Sequence, residues 1–172
     1  AQDRQLQALA NVGLGHIYYE TRPNQLGQAV EYYQRAAELL DNEPPKDVVL
    51  CRLGSALQKQ GDWTRADLYF SRCFEQFPHS EFAEYARGRF GARAWRLQFG
   101  AFSTVARATE LAGQVRQTGL DVEWAPVRKN GTVLYAVQAG RFSTYEAAEA
   151  ALQSVADEFP EATVVAAGGR GA

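Results

Sequence analysis

The stretch from Gln98 to Thr104 reads QFGAFST, and the stretch from Gln138 to Thr144 reads QAGRFST. Each follows an alternating apolar run and precedes an alanine-rich segment, so a unit of strand, tight turn and helix occurs twice. From Trp95 the apolar period is two: Trp95, Leu97 and Phe99 alternate with Arg96, Gln98 and Gly100, the pattern of a half-buried strand. Ser103 or Thr104 then offers a helix N-cap, Ala108, Leu111, Ala112 and Val115 share one helical face, and Gly119 stops the helix. Segments 121–128 and 133–140 are two further strands, joined at Asn130-Gly131, the dipeptide that favours a two-residue hairpin turn. Ser143-x-x-Glu146 reads as a capping box opening a second helix, whose Ala148, Leu152, Val155 and Phe159 face one way before Pro160 closes it. ATVVAA, at 162–167, supplies a fourth strand.

The order βαββαβ predicts an α+β, ferredoxin-like sandwich: four antiparallel strands with two helices on one face. Gly100 and Gly140 are expected to end the first and third strands, with Phe102 and Phe142 plugging the space beneath each helix start. A two-residue turn pairs Lys129 with Thr132, and counting back pairs Val127 with Leu134, Ala125 with Ala136, Trp124 with Val137 and Glu123 with Gln138. Parity then turns Trp95, Leu97, Phe99, Trp124, Tyr135 and Val137 towards the helices. It leaves Arg96, Gln98, Glu123, Ala125, Val127, Leu134, Ala136 and Gln138 on the open face. An exposed sheet with two glutamines and a Val/Leu patch is suited to an extended ligand, because a neutral amide offers donors and an acceptor to a sugar hydroxyl or acetamido group. An ordinary solvated face is the alternative reading of the same residues.

Before Trp95 the period is helical. Breakers at Arg22-Pro23-Asn24, Pro44-Pro45, Gly61-Asp62 and Pro78 divide residues 1–94 into five helices, over 3–20, 25–41, 46–60, 63–77 and 80–94. The segment LCRLGSALQKQGDWTRADLYFSRCFEQFP carries Leu53, Gly54, Leu57, Gly61, Ala66, Phe70, Cys73 and Pro78. This resembles the tetratricopeptide repeat (TPR), in which small residues let two helices cross closely and an aromatic fills the gap to the next repeat. Leu14, Gly15, Tyr18, Ala29, Tyr33 and Ala36 repeat the pattern with two extra residues in the turn, and Phe82, Tyr85, Ala86 and Phe90 mark a fifth, capping helix. Tyr18, Tyr19, Tyr32 and Tyr33 read either as inter-helix packing or as the lining of a peptide-binding concave face.

The second half resembles a SPOR domain over residues 95–167. First strands of the type W-x-V-Q-x-G-S-F and third strands of the type Y-R-V-x-V-G-P-F correspond to WRLQFGAF and LYAVQAGRF at Trp95, Gln98, Gly100, Phe102, Tyr135, Val137, Gly140 and Phe142. Ala101 stands where the family favours Ser, Ala136 where an Arg commonly follows the Tyr, and Arg141 where Pro is frequent. The resemblance implies binding of peptidoglycan glycan strands stripped of stem peptides, with Gln98, Gln138, Arg96, Leu134, Ala136 and Ala101 as the candidate glycan contacts. It also implies a bacterial periplasmic or cell-envelope location, often at the division septum. With no Met in the chain, the sequence either starts after a removed segment, for which Ala1 suits a signal-peptidase cut, or is an excerpt from something longer with further repeats before residue 1, and residues 168–172 read as a tail.

The leading reading is a non-catalytic adaptor, glycan on the second domain and an unidentified protein partner on the repeats. The alternative is a pure protein-interaction scaffold whose SPOR-like sheet no longer binds glycan. Nucleic acid is disfavoured by a net charge of -2 and by aromatics that parity turns inward, where an RNA-binding sheet would expose them. His16 and His79 have no Cys or Ser placed locally for nucleophilic catalysis, and no acid pair, metal cluster or phosphate loop stands out, so no enzyme, cofactor or metal is expected. Cys51 and Cys73 read as small buried residues or as a disulfide between adjacent helices. No run of 18 apolar residues is present to span a membrane.

Overall fold

The computed structural model describes residues 2–168; Ala1 and most of the expected tail, from residue 169, lie outside the described residues. The chain divides into two units, Ala1–Gly91 and Ala92–Ala172.

The first unit is helical: α1 (Gln2–Thr21), α2 (Leu26–Leu39), α3 (Lys46–Lys59), α4 (Trp63–Gln76) and α5 (Glu81–Arg89). Two close crossings explain its repeat. A Cβ added at Gly15 of α1 would stand 2.6 Å from the Tyr33 ring of α2, and one at Gly54 of α3 would stand 2.8 Å from the Phe70 ring of α4. The same glycine-to-aromatic contact thus closes both helix pairs, and the two extra residues of the first turn are absorbed in a 3-10 turn at Pro23–Gln25. Asp62 caps α4 by accepting from the Arg65 amide, and Ser80 caps α5 by accepting from that of Phe82. The core holds Tyr33, Val49, Leu50, Leu53, Leu57 and Phe70, all fully or almost fully buried, and Cys51 and Cys73 lie unbridged among them. The fifth helix is shorter than the sequence pattern predicts. Phe90 is extended, Gly91 has φ +81, and its amide is held by Asp67 Oδ1 at 2.8 Å, so the chain leaves the helix at Arg89.

The second unit runs β1 (Ala94–Phe102), α6 (Val105–Arg116), β2 (Val122–Lys129), β3 (Thr132–Phe142), α7 (Tyr145–Val155) and β4 (Thr163–Ala167). Its antiparallel sheet has the order β2-β3-β1-β4, with β1 and β3 central. Asn130 and Gly131 have φ 50 and 78, the positive pair that a two-residue turn needs, and the β2/β3 register is Lys129 with Thr132 through Glu123 with Gln138. Leu97, Phe99, Val137 and Ala139 pack with Ala108, Ala112 and Val115 of α6 and Val155 of α7. Trp95 meets Tyr145 edge-on at 4.9 Å, and Phe99 meets Phe159 edge-on at 5.1 Å.

Two details depart from the sequence pattern. The glycines do not end their strands, because β1 continues to Phe102 and β3 to Phe142; instead each Phe ring lies over the glycine two residues before it. A Cβ at Gly100 would be 2.9 Å from the Phe102 ring, and one at Gly140, where φ is +72, 2.5 Å from that of Phe142. The second helix is capped by Thr144 rather than Ser143, with Thr144 Oγ1 accepting from the Ala147 amide at 3.3 Å. Continuation of β3 through Phe142 moves the cap one residue on and breaks the expected capping box.

Candidate functional site

The sheet face away from α6 and α7 is organised in rows, since residues paired across a ladder share a face. One row crosses all four strands: Glu123 pairs with Gln138, Gln138 with Gln98, and Gln98 with Thr163. Beside it runs a row of methyl groups, Ala125, Ala136 and Ala101, and beyond that Val127 pairs with Leu134 near the hairpin. Ala136 retains 2% exposure, so it forms the floor of this face.

Ala101 reaches the face through a break in register. From Gln98 to Gly100 β1 advances two residues while β3 moves only from Gln138 to Val137. The extra residue keeps Phe99 and Gly100 both on the helix side and returns Ala101 to the open side. Strict alternation from Trp95 would bury Ala101 and expose Phe102; the bulge does the reverse. It also sets Phe102 against the core with Leu111.

The two glutamines are bonded to each other. Gln138 Nε2 donates to Gln98 Oε1 at 3.1 Å, so both amides are held in one orientation while retaining further donor and acceptor capacity. Arg96 is committed as well. Its Nη1 donates to Glu123 Oε1 in an ion pair, and its Nε donates to the Gly140 carbonyl at 2.9 Å, with only 14% of the side chain exposed. The Arg96 hydrogen bond, with the charges of Arg96 and Arg141, holds the Glu123 carboxyl below its usual range. The Glu123 carboxylate therefore stays ionised at neutral pH and is compensated by the Arg96 guanidinium, and Arg141 is an exposed cation near it. Away from the hairpin end, where Lys129 pairs with Thr132, such a face offers fixed amides, the Thr163 hydroxyl and a methyl floor beside a compensated ion pair, which suits a neutral polar ligand better than a phosphate chain.

The structure brings Gln98, Gln138, Leu134, Ala136 and Ala101 to one surface, with Arg96 at its border. Thr163, and Val165 opposite Arg96, were not anticipated. Their strand was legible as an apolar run, but no short turn ties β4 to β1, so its register had no local signal.

In the helical unit, Tyr33 is fully buried and Tyr19 nearly so, whereas Tyr18 and Tyr32 stack on the surface at 5.5 Å under Arg22 and Arg35. A separate groove between α3 and α5 is lined by Arg52, Ser55, Glu81, Phe82 and Tyr85. His16 Nδ1 bonds the Tyr33 hydroxyl at 2.8 Å, and burial, then the Arg52 charge, push its pKa down. Among the described residues no group of three or more His, Cys, Asp or Glu is placed to hold a metal ion, and no helix is long and apolar enough to cross a membrane.

Residues 91–166 match the family model of the SPOR domain, and residues 49–80, which span most of α3 and all of α4, match that of the tetratricopeptide repeat. The chain carries the repeat first and the SPOR domain second. No curated protein and no solved structure matches it. SPOR domains are a peptidoglycan-binding family, and both modules are non-catalytic binding domains, which together support a protein-interaction role in the cell envelope.

Proposed function

We propose that this chain, a tetratricopeptide repeat followed by a SPOR domain, is a non-catalytic adaptor of the bacterial periplasm. Its sheet docks on glycan strands that have lost their stem peptides, and its helical repeats hold a protein partner at that place. The row Glu123, Gln138, Gln98 and Thr163 carries the reading. It sets fixed amides and a hydroxyl across the whole sheet beside a methyl floor on which sugar rings can rest. A naked strand approaches this flat face closely because no lactyl-linked peptide stands between sugar and sheet. Its exposed lactyl carboxylates would meet Arg141, since Arg96 is engaged by Glu123. Where glycan is denuded during septal splitting, the adaptor would concentrate its partner at the division site.

The test is co-sedimentation of the purified chain with sacculi before and after amidase treatment. Strong binding only after treatment is expected; equal binding to both, or to neither, refutes the selectivity. The scaffold reading has one observation in its favour: the Gln98–Gln138 and Arg96–Glu123 pairs already satisfy part of the face internally. It predicts a folded chain that never sediments with glycan.

A further inference from the structure

Helix α1 carries two apolar faces. Ala8, Val12, Gly15 and Tyr19 are buried. At 3.6 residues per turn, Leu6, Leu9, Ala10, Gly13, Leu14 and Ile17 lie on the opposite side, and all six are exposed, with Leu6 at 61%, Leu9 at 46%, Leu14 at 39% and Ile17 at 51%. Four large aliphatic side chains on one helix face exceed the scattered surface apolar residues of an ordinary soluble domain. From Gln5 to Tyr19 the helix has no Asp, Glu, Lys or Arg, and His16 is shifted towards its neutral form.

We propose that this stripe is a self-association surface, on which α1 of a second copy lies antiparallel. The stripe has the same order from either end about the midpoint between Asn11 and Val12: large, large, small, small, large, large. A two-fold axis at that midpoint sets Leu6 against Ile17 of the second copy, Leu9 against Leu14 and Ala10 against Gly13. The small residues meet at the centre, where helices approach closest, and the aliphatic side chains close over them on both sides. That is the self-complementarity a two-fold interface requires. The absence of charge between Gln5 and Tyr19 removes the like-charge repulsion that self-pairing otherwise creates. The symmetry also brings Asp3 near Glu20 of the second copy, but Glu20 is already paired with Arg52 at 3.1 Å. One helix pair is a small interface, so the dimer is a weak and reversible one.

Sedimentation equilibrium of the full chain over a concentration series tests this, with Gly13→Leu and Ile17→Glu as variants. A Cβ at Gly13 meets nothing within 4 Å in the chain, so Gly13→Leu leaves the monomer folded, and a melting temperature no lower than that of the wild type verifies that. The wild type should show a monomer–dimer equilibrium, and each variant should raise the dissociation constant about tenfold or more, equivalent to about 1.4 kcal/mol. The register is read by mixing Ala10→Cys and Gly13→Cys chains under mild oxidation, where the mixed disulfide should predominate over either symmetric one. A wild type that stays monomeric at every concentration overturns the proposal, and the stripe then serves a different partner. Association indifferent to both variants, or cross-linking without preference for the mixed product, overturns it equally.

Discussion

Replacing Gln98 by Ala removes the acceptor that holds Gln138 and the amide offered to ligand, and the two losses are separable. The side-chain bond at 3.1 Å joins half-buried groups, so its net contribution to folding is about 0.5–1.5 kcal/mol, and water rehydrates the released Gln138 amide. For a domain of this size that corresponds to a fall of a few degrees in melting temperature. Gln138→Ala should cost a similar amount, and the double variant should cost about 1 kcal/mol less than the two single costs together, because one shared bond is lost in each. Binding to amidase-treated sacculi should fall further, by roughly fivefold to tenfold for each lost ligand hydrogen bond. Gln98→Leu fills the volume without restoring either bond and should behave like Gln98→Ala in binding. The assay pairs calorimetry of the full chain with quantitative sedimentation on treated sacculi. Strictly additive stability costs would show that the amide pair does not form in solution; wild-type binding by both single variants would remove the ligand from this row.

Four further outcomes follow from the packing and the charges. Gly54→Ala forces a Cβ to 2.8 Å from the Phe70 ring and should destabilise the helical unit by about 1–3 kcal/mol, less up to ~1 kcal/mol regained in helix propensity. Gly13→Ala, with open space around it, should stabilise it by up to ~1 kcal/mol, and thermal melts that rank the two the other way would contradict the close helix crossing. Thr144→Ala removes the cap on the Ala147 amide and should cost about 1 kcal/mol, which Thr144→Ser largely restores. Glu123, whose carboxyl is depressed chiefly by the Arg96 hydrogen bond, contributes stability that is present above its unfolded pKa and lost as pH falls through its lower folded value. Stability measured from about pH 5 downward should therefore fall less steeply in Glu123→Gln than in wild type; parallel curves would mean that the pair adds nothing.

The order of elements was legible because each rests on local chemistry. Asn130-Gly131 dictates a two-residue turn, and that turn alone fixes the β2/β3 register through to Glu123 and Gln138. The Leu-Gly and aromatic spacing of α3 and α4 announces a close helix crossing, which appears as Gly54 beneath Phe70. What sequence alone left open depends on residues far apart in the chain. The bulge at Phe99 and Gly100 exists because β1 is matched to β3, some forty residues on, and only that match returns Ala101 to the open face. Arg96 was legible as an open-face cation, but not as one taken up by Glu123 and the Gly140 carbonyl. Thr163 joins the polar row only once β4 is laid beside β1. Periodicity and turn residues act within a few positions, so they determine elements and hairpin registers; bulges, ion pairs and non-hairpin registers are settled by packing the assembled sheet on its helices.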